Sequence, residues 1–288
     1  GSTGPRRTRG LFLFRVYTNC MDIKKPEFIY ALGFVALVLG LTGWYMATHP
    51  APVAPIVEEE PSALESETPK NMREYSKYYT IDITYPTNIS FPLSSRSNAG
   101  VGAENTMKTW VDSAVTEFKA YAKENEAAIE DFANRGDEIP ATLSSSELSI
   151  TYGKKSSERT VTYVFTSASY TGGAHGIAVP VTFTFDKTTG AQIELADLFT
   201  AGSGYLYRLS EISRADLPKI MEGFSESGFI AEGTMPRDVH FQAFYLEGDT
   251  LTFLFAPYQV GPYSLGTVTL PIKLSRLNDI LKAEYRAE

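Results

Sequence analysis

The chain has a single cysteine, Cys20, in 288 residues, so neither a disulfide framework nor a cysteine-ligated zinc site can be built from it. Histidine is nearly as scarce. His49, His175 and His240 lie far apart and leave little material for a His-rich metal centre. Positive charge is in deficit, with 26 Lys+Arg against 34 Asp+Glu, and the net charge of −8 lacks the basic face a nucleic-acid binder uses to displace counterions. There is no H-E-x-x-H pair, no P-loop and no dinucleotide fingerprint, and Gly202-Ser203-Gly204 lacks the wider spacing of a nucleophile elbow. No cofactor and no metal are expected. What the chain does have is aromatic content, 12%, which is too rich for disorder and implies a packed core.

The charge is unevenly distributed. Residues 1–27 carry six Lys/Arg against two acids, residues 28–47 carry no charge, and residues 48–74 carry two bases against six acids. The uncharged run FIYALGFVALVLGLTGWYMA matches the ~20 residues a helix needs to cross a bilayer. Trp44 and Tyr45 stand where an interfacial aromatic belt would be, and the basic flank before the run puts the N-terminus inside. The run exceeds the ~7–15 apolar residues of a cleaved signal peptide, and prolines follow it, so an uncleaved signal anchor is expected. Residues 1–27 are then a short cytoplasmic segment, of which 1–20 read as an extension upstream of Met21. Residues 48–74, rich in proline and acid and without periodicity, read as an extended spacer.

From Tyr75 the pattern is that of an α+β protein, with antiparallel hairpins and sheets packed by amphipathic helices. Ile81 and Ile83 alternate with Asp82 and Thr84 as in a half-buried strand, and Glu104 to about Glu130 carries a helical stripe through Met107, Trp110, Val111, Phe118 and Ala122. Strands are expected at 148–152, 161–170, 179–185, 192–195, 241–246, 251–255 and 267–272. A helix with Leu206, Leu209 and Ile212 precedes a second one starting near Asp216, with Pro218 in its first turn. A closing amphipathic helix is expected after Ser275, burying Leu277, Ile280 and Leu281.

Two loops carry the candidate site. Tyr170-Thr171-Gly172-Gly173-Ala174-His175-Gly176 is a glycine-rich hairpin loop that presents an imidazole. The stretch 256–266, with Tyr258 and Tyr263 among two prolines and two glycines, offers rigid amphipathic contact area. Candidate binding residues are therefore Tyr170, Thr171, Gly172, Gly173, His175, Tyr258 and Tyr263. A catalytic alternative pairs His175 with a nearby carboxylate such as Asp186, although Asp186 and Asp197 also suit turn and cap positions. A third reading makes the chain a structural partner of another envelope protein through the anchor, where Gly33, Gly40 and Gly43 lack the GxxxG spacing.

The succession Ser169–Gly176, Leu195-Ala196-Asp197-Leu198-Phe199 and Phe253-Leu254-Phe255-Ala256-Pro257-Tyr258 resembles a bacterial pair of extracytoplasmic modules. They are shared by the anti-sigma factor RsiV and the N-terminal, non-catalytic region of the peptidoglycan deacetylase PdaC. The resemblance implies a PdaC-like module over 75–180 and an RsiV-like module over 181–288, or one continuous domain. It also implies a membrane-anchored sensor facing the cell envelope, with a cell-wall glycan or a basic envelope-directed protein such as lysozyme as partner. The deacetylase's Asp/His metal motif is absent, so deacetylation is not implied.

Overall fold

The alternation after Tyr79 does make a strand, β2 (Tyr79–Ser90), with Ile81, Ile83 and Tyr85 buried on one face. The computed structural model describes residues 66–91, 99–138, 145–221, 224 and 227–287. The expected cytoplasmic segment, the anchor at 28–47 and residues 48–65 lie outside the described residues. Among the described residues no helix is long and apolar enough to cross a membrane.

The spacer reading needs correction at its C-terminal end. Residues 66–74 are part of β1 (Ser66–Tyr75), which pairs antiparallel with β2. β1 is an edge strand with mostly exposed side chains, so no apolar alternation marks it in the sequence, and Pro69, Lys70 and Arg73 are residues an edge tolerates. Pairs from Glu67 to Lys154, Glu74 to Lys119 and Arg73 to Asp82 fasten it down.

Helix α1 (Ala99–Arg135) extends beyond the expected helix at both ends. Its stripe buries Met107, Trp110, Val111, Phe118 and Ala122, and the Trp110 ring lies 5.0 Å from Phe165 and 5.7 Å from Phe183. Because this helix carries the chain back along the sheet, β3 (Ser146–Ser156) runs parallel to β2, a departure from the all-antiparallel expectation. β4 (Thr160–Tyr170), β5 (Ile177–Asp186) and the two-residue β6 (Gln192–Ile193) complete the sheet in the order β1-β2-β3-β4-β5-β6. Glu194 and Asp197 then form a reciprocal cap on the 3-10 turn Leu195–Leu198, so the strand expected through Leu195 stops at Ile193.

A second core is built from α2 (Tyr205–Ile220), α3 (Ser227–Gly233) and an antiparallel sheet of β7 (Phe244–Glu247), β8 (Thr250–Phe255) and β9 (Val268–Lys273). It buries Leu198, Leu209, Leu217, Phe253, Leu270 and Leu277, among others. Pro218 lies in the last turn of α2 and does not open a new helix; there its missing N–H costs only one terminal bond. The expected closing helix is instead two 3-10 turns, Leu274–Arg276 and Ala283–Tyr285. Between them the backbone is used sideways: Thr200 N–H donates to Ile280 O and Lys282 N–H donates to Leu198 O, each at 2.9 Å. Leu277, Ile280 and Leu281 are buried all the same.

β7 packs on β3, β4 and β5, and Thr182 Oγ1 joins the sheets by accepting the Phe244 N–H at 3.0 Å. The expected boundary between 180 and 181 falls inside β5, and both cores belong to one compact unit, Ala63–Glu288.

Candidate binding site

One loop of the site belongs to each sheet. Between β4 and β5, Gly172 and Gly173 adopt φ of 100° and 94°, a region that favours glycine. Tyr170 O–H closes this loop by donating to Gly173 O at 3.0 Å. At Gly176 an added Cβ would fall 2.8 Å from Ser169 O, so the hairpin closes tightly only around glycine.

The other loop, between β8 and β9, is pinned by Gln259. Its Oε1 accepts the Ala256 N–H at 3.2 Å, and its Nε2 donates to Gly233 O at 3.0 Å and His240 O at 2.9 Å. Sequence reasoning missed Gln259, because a lone glutamine in a loop carries no signal of its own. Tyr258, immediately before it, is held at φ 69°.

These loops bring His175, Tyr258 and Tyr263 together. The imidazole stacks on Tyr263 with centroids 3.9 Å apart and planes 20° from parallel. Tyr258 lies 6.4 Å from the imidazole and 5.5 Å from Tyr263. His175 Nδ1 is 2.9 Å from Gly176 O, Tyr258 Oη is 3.3 Å from His175 Nε2, and Tyr263 O–H donates to Gly176 O at 2.9 Å. Burial, and after it the neighbouring Tyr263, pushes the Tyr258 phenol above its ordinary pKa. Thr171, Gly172 and Gly173 shape the hairpin loop without joining this cluster.

The acid–base pairing with Asp186 is overturned. Asp186 ends β5 at the far side from His175, about 30 Å away at strand rise. It is buried at the turn, where Oδ1 accepts the N–H groups of Thr188 and Thr189 and Oδ2 pairs with Arg159 at 2.9 Å. None of the hydrogen bonds or ion pairs made by His175 among the described residues is to a carboxylate. Among the described residues no group of three His, Cys, Asp or Glu could hold a metal.

A separate hollow of about 470 Å³ lies at the start of α2, lined by Phe199, Tyr205, Leu206, Tyr207 and Lys282 around Gly202–Gly204. Burial, followed by a bond to Asp238, pushes the Tyr205 phenol up to about 12. Ser203 Oγ, in its lining, is buried and makes no hydrogen bond among the described residues.

Residues 196–275 match a family described as "Protein of unknown function (DUF3298)". The match is to DUF3298. It takes in Tyr258 and Tyr263 but not His175, so the cluster straddles the boundary of the DUF3298 match. The chain is also 29% identical over 269 residues to the peptidoglycan-N-acetylmuramic acid deacetylase PdaC of Bacillus subtilis (strain 168), covering 92% of this chain. It spans about half, 52%, of that relative's length. The likeness to PdaC read from the three motifs thus extends across both cores. A crystal structure of a DUF3298 family member from Bacteroides fragilis NCTC 9343 matches with a TM-score of 0.53 at 21% identity, over 77% of this chain and 94% of that one. At that identity the likeness supports the fold and nothing finer.

Proposed function

We propose that the chain is a non-catalytic binding module of the cell envelope, and that it grips peptidoglycan at the His175–Tyr258–Tyr263 cluster. The observation that carries this reading is the convergence of two loops, one from each sheet, on a stacked ring cluster whose polar atoms are already anchored. Such a surface binds without first paying to order its side chains. Among the described residues the imidazole makes no hydrogen bond to a carboxylate that would pair with it as acid and base. The relative PdaC is named for a reaction on peptidoglycan, which favours a wall polymer as the ligand. The uncharged run at 28–47 would tether the module at the outer face of the membrane, where that polymer lies.

The experiment is co-sedimentation of the full chain with purified peptidoglycan sacculi, alongside the His175→Ala, Tyr258→Ala double variant. Binding that drops in the double variant supports the reading; undiminished binding removes the cluster from it. A basic protein such as lysozyme is the second reading, favoured by the net charge of −8. Immobilised lysozyme tests it: capture that weakens with salt, by a chain indifferent to sacculi, would replace the first reading.

A further inference from the structure

The hydrogens of the ring cluster follow from valence. A carbonyl oxygen only accepts, so in the neutral imidazole the proton sits on His175 Nδ1 and is donated to Gly176 O. Nε2 is then a lone pair, and it takes the Tyr258 O–H. Tyr263 O–H donates to the same Gly176 carbonyl, which thereby fills both of its lone pairs. Tyr170 O–H donates to Gly173 O. The imidazole N–H and the hydroxyl hydrogens of all three tyrosines are therefore turned inward.

These side chains leave a ligand only phenolic lone pairs and ring faces, and the negative face of an aromatic quadrupole repels anions. Tyr258, 36% exposed, offers the most of both. The ring cluster itself offers a carboxylate or a phosphate no side-chain donor. It suits a group that brings its own N–H donors together with positive charge.

We infer that the cluster receives a primary ammonium group carried on the wall polymer, such as the free amine of an unacylated amino sugar. The ammonium lies against the Tyr258 ring and donates to the phenolic oxygens. This inference rests on the wall-binding reading above and narrows it to one ligand chemistry. The acidity of the chain draws cations in from a distance but cannot by itself select the cluster.

The test is titration of the full chain with glucosamine hexamer and with N-acetylglucosamine hexamer at physiological ionic strength. The amine form is expected to bind about fivefold tighter or more. Tyr258→Asn, which removes the ring and suits the left-handed backbone, and Tyr263→Leu should each abolish that preference. Equal affinity for the two hexamers, or binding of neither, overturns the inference. So does a preference that survives in both variants, which would be diffuse attraction between an acidic surface and a polycation. Sacculi with chemically acetylated amines separate the two proposals. Undiminished co-sedimentation with them fells the ammonium and spares the wall reading, whereas failure to bind sacculi in either form fells both.

Discussion

Tyr258 is held at φ 69°, where an L side chain costs about 1–2 kcal/mol. The loop sustains that cost through Gln259, whose amide fastens the next position to Gly233 and His240. Strain retained at a ring that anchors little of the core points to a role for the ring itself. Asparagine tolerates the left-handed region, so Tyr258→Asn should change unfolding free energy by less than about 1 kcal/mol while sacculus binding falls. Urea unfolding and co-sedimentation of the same sample would check both halves. His240, behind this loop, makes a second prediction. Burial, ahead of the opposing bond to Met235 O, lowers its pKa below the ordinary imidazole value. The unfolded chain therefore binds more protons than the folded one just below that value, and stability falls as pH drops through the window. The urea midpoint should decrease between pH 7.5 and 5.5, and His240→Gln should flatten that dependence.

At the scale of elements, legibility in the sequence followed burial. β2, with one buried face, shows as alternation, β8 as an apolar run, and the α1 stripe as a helical period. β1 does not show, because an exposed edge strand is held by its ladder and ion pairs, neither of which leaves an apolar trace. The closing helix departs from expectation for the complementary reason: Leu277, Ile280 and Leu281 have helical spacing and are buried, but the Lys282 N–H donates across to Leu198 O and the Ile280 carbonyl accepts the Thr200 N–H. The site was half legible. Glycine, proline and tyrosine marked both loops, but nothing local reveals that loops some 80 residues apart stack on each other. The β5–β6 turn was read correctly as a turn, and it yields a prediction. Asp186→Ala removes the acceptor of two turn N–H groups and the partner of the half-exposed Arg159 guanidinium, which should cost about 1–2 kcal/mol by urea unfolding. Because the turn stands at the opposite end of β5 from His175, sacculus binding by the folded variant should be unchanged. A loss of binding at full folding would revive a role for Asp186 near the site.

For the whole molecule the question is whether two cores behave as one. Each has its own apolar interior: α1 covers one face of the first sheet, while α2 and the chain's tail close the second. Among the links that join them are the ring cluster, whose partners come from both sheets, the Lys155–Glu247 ion pair from β3 to β7, and the buried face of β4 and β5, where Thr160, Thr162, Thr182 and Thr184 are almost fully covered. Thr182 is the decisive member, since its hydroxyl accepts the Phe244 N–H, whereas the Thr162 and Thr184 hydroxyls, 2.9 Å apart, satisfy each other within one sheet. Thr182→Val keeps the shape but orphans that buried N–H, which should cost about 1–3 kcal/mol. If the cores fold together, the loss must lower both by the same amount. Trp110 fluorescence in a Trp44→Phe background reports the first core, and amide exchange at Leu251 and Phe253 reports the second. Coincident transitions that move down together are expected. Separate transitions, with only the second core destabilised, would mean that the cluster joins two independent domains and that its geometry depends on how they dock.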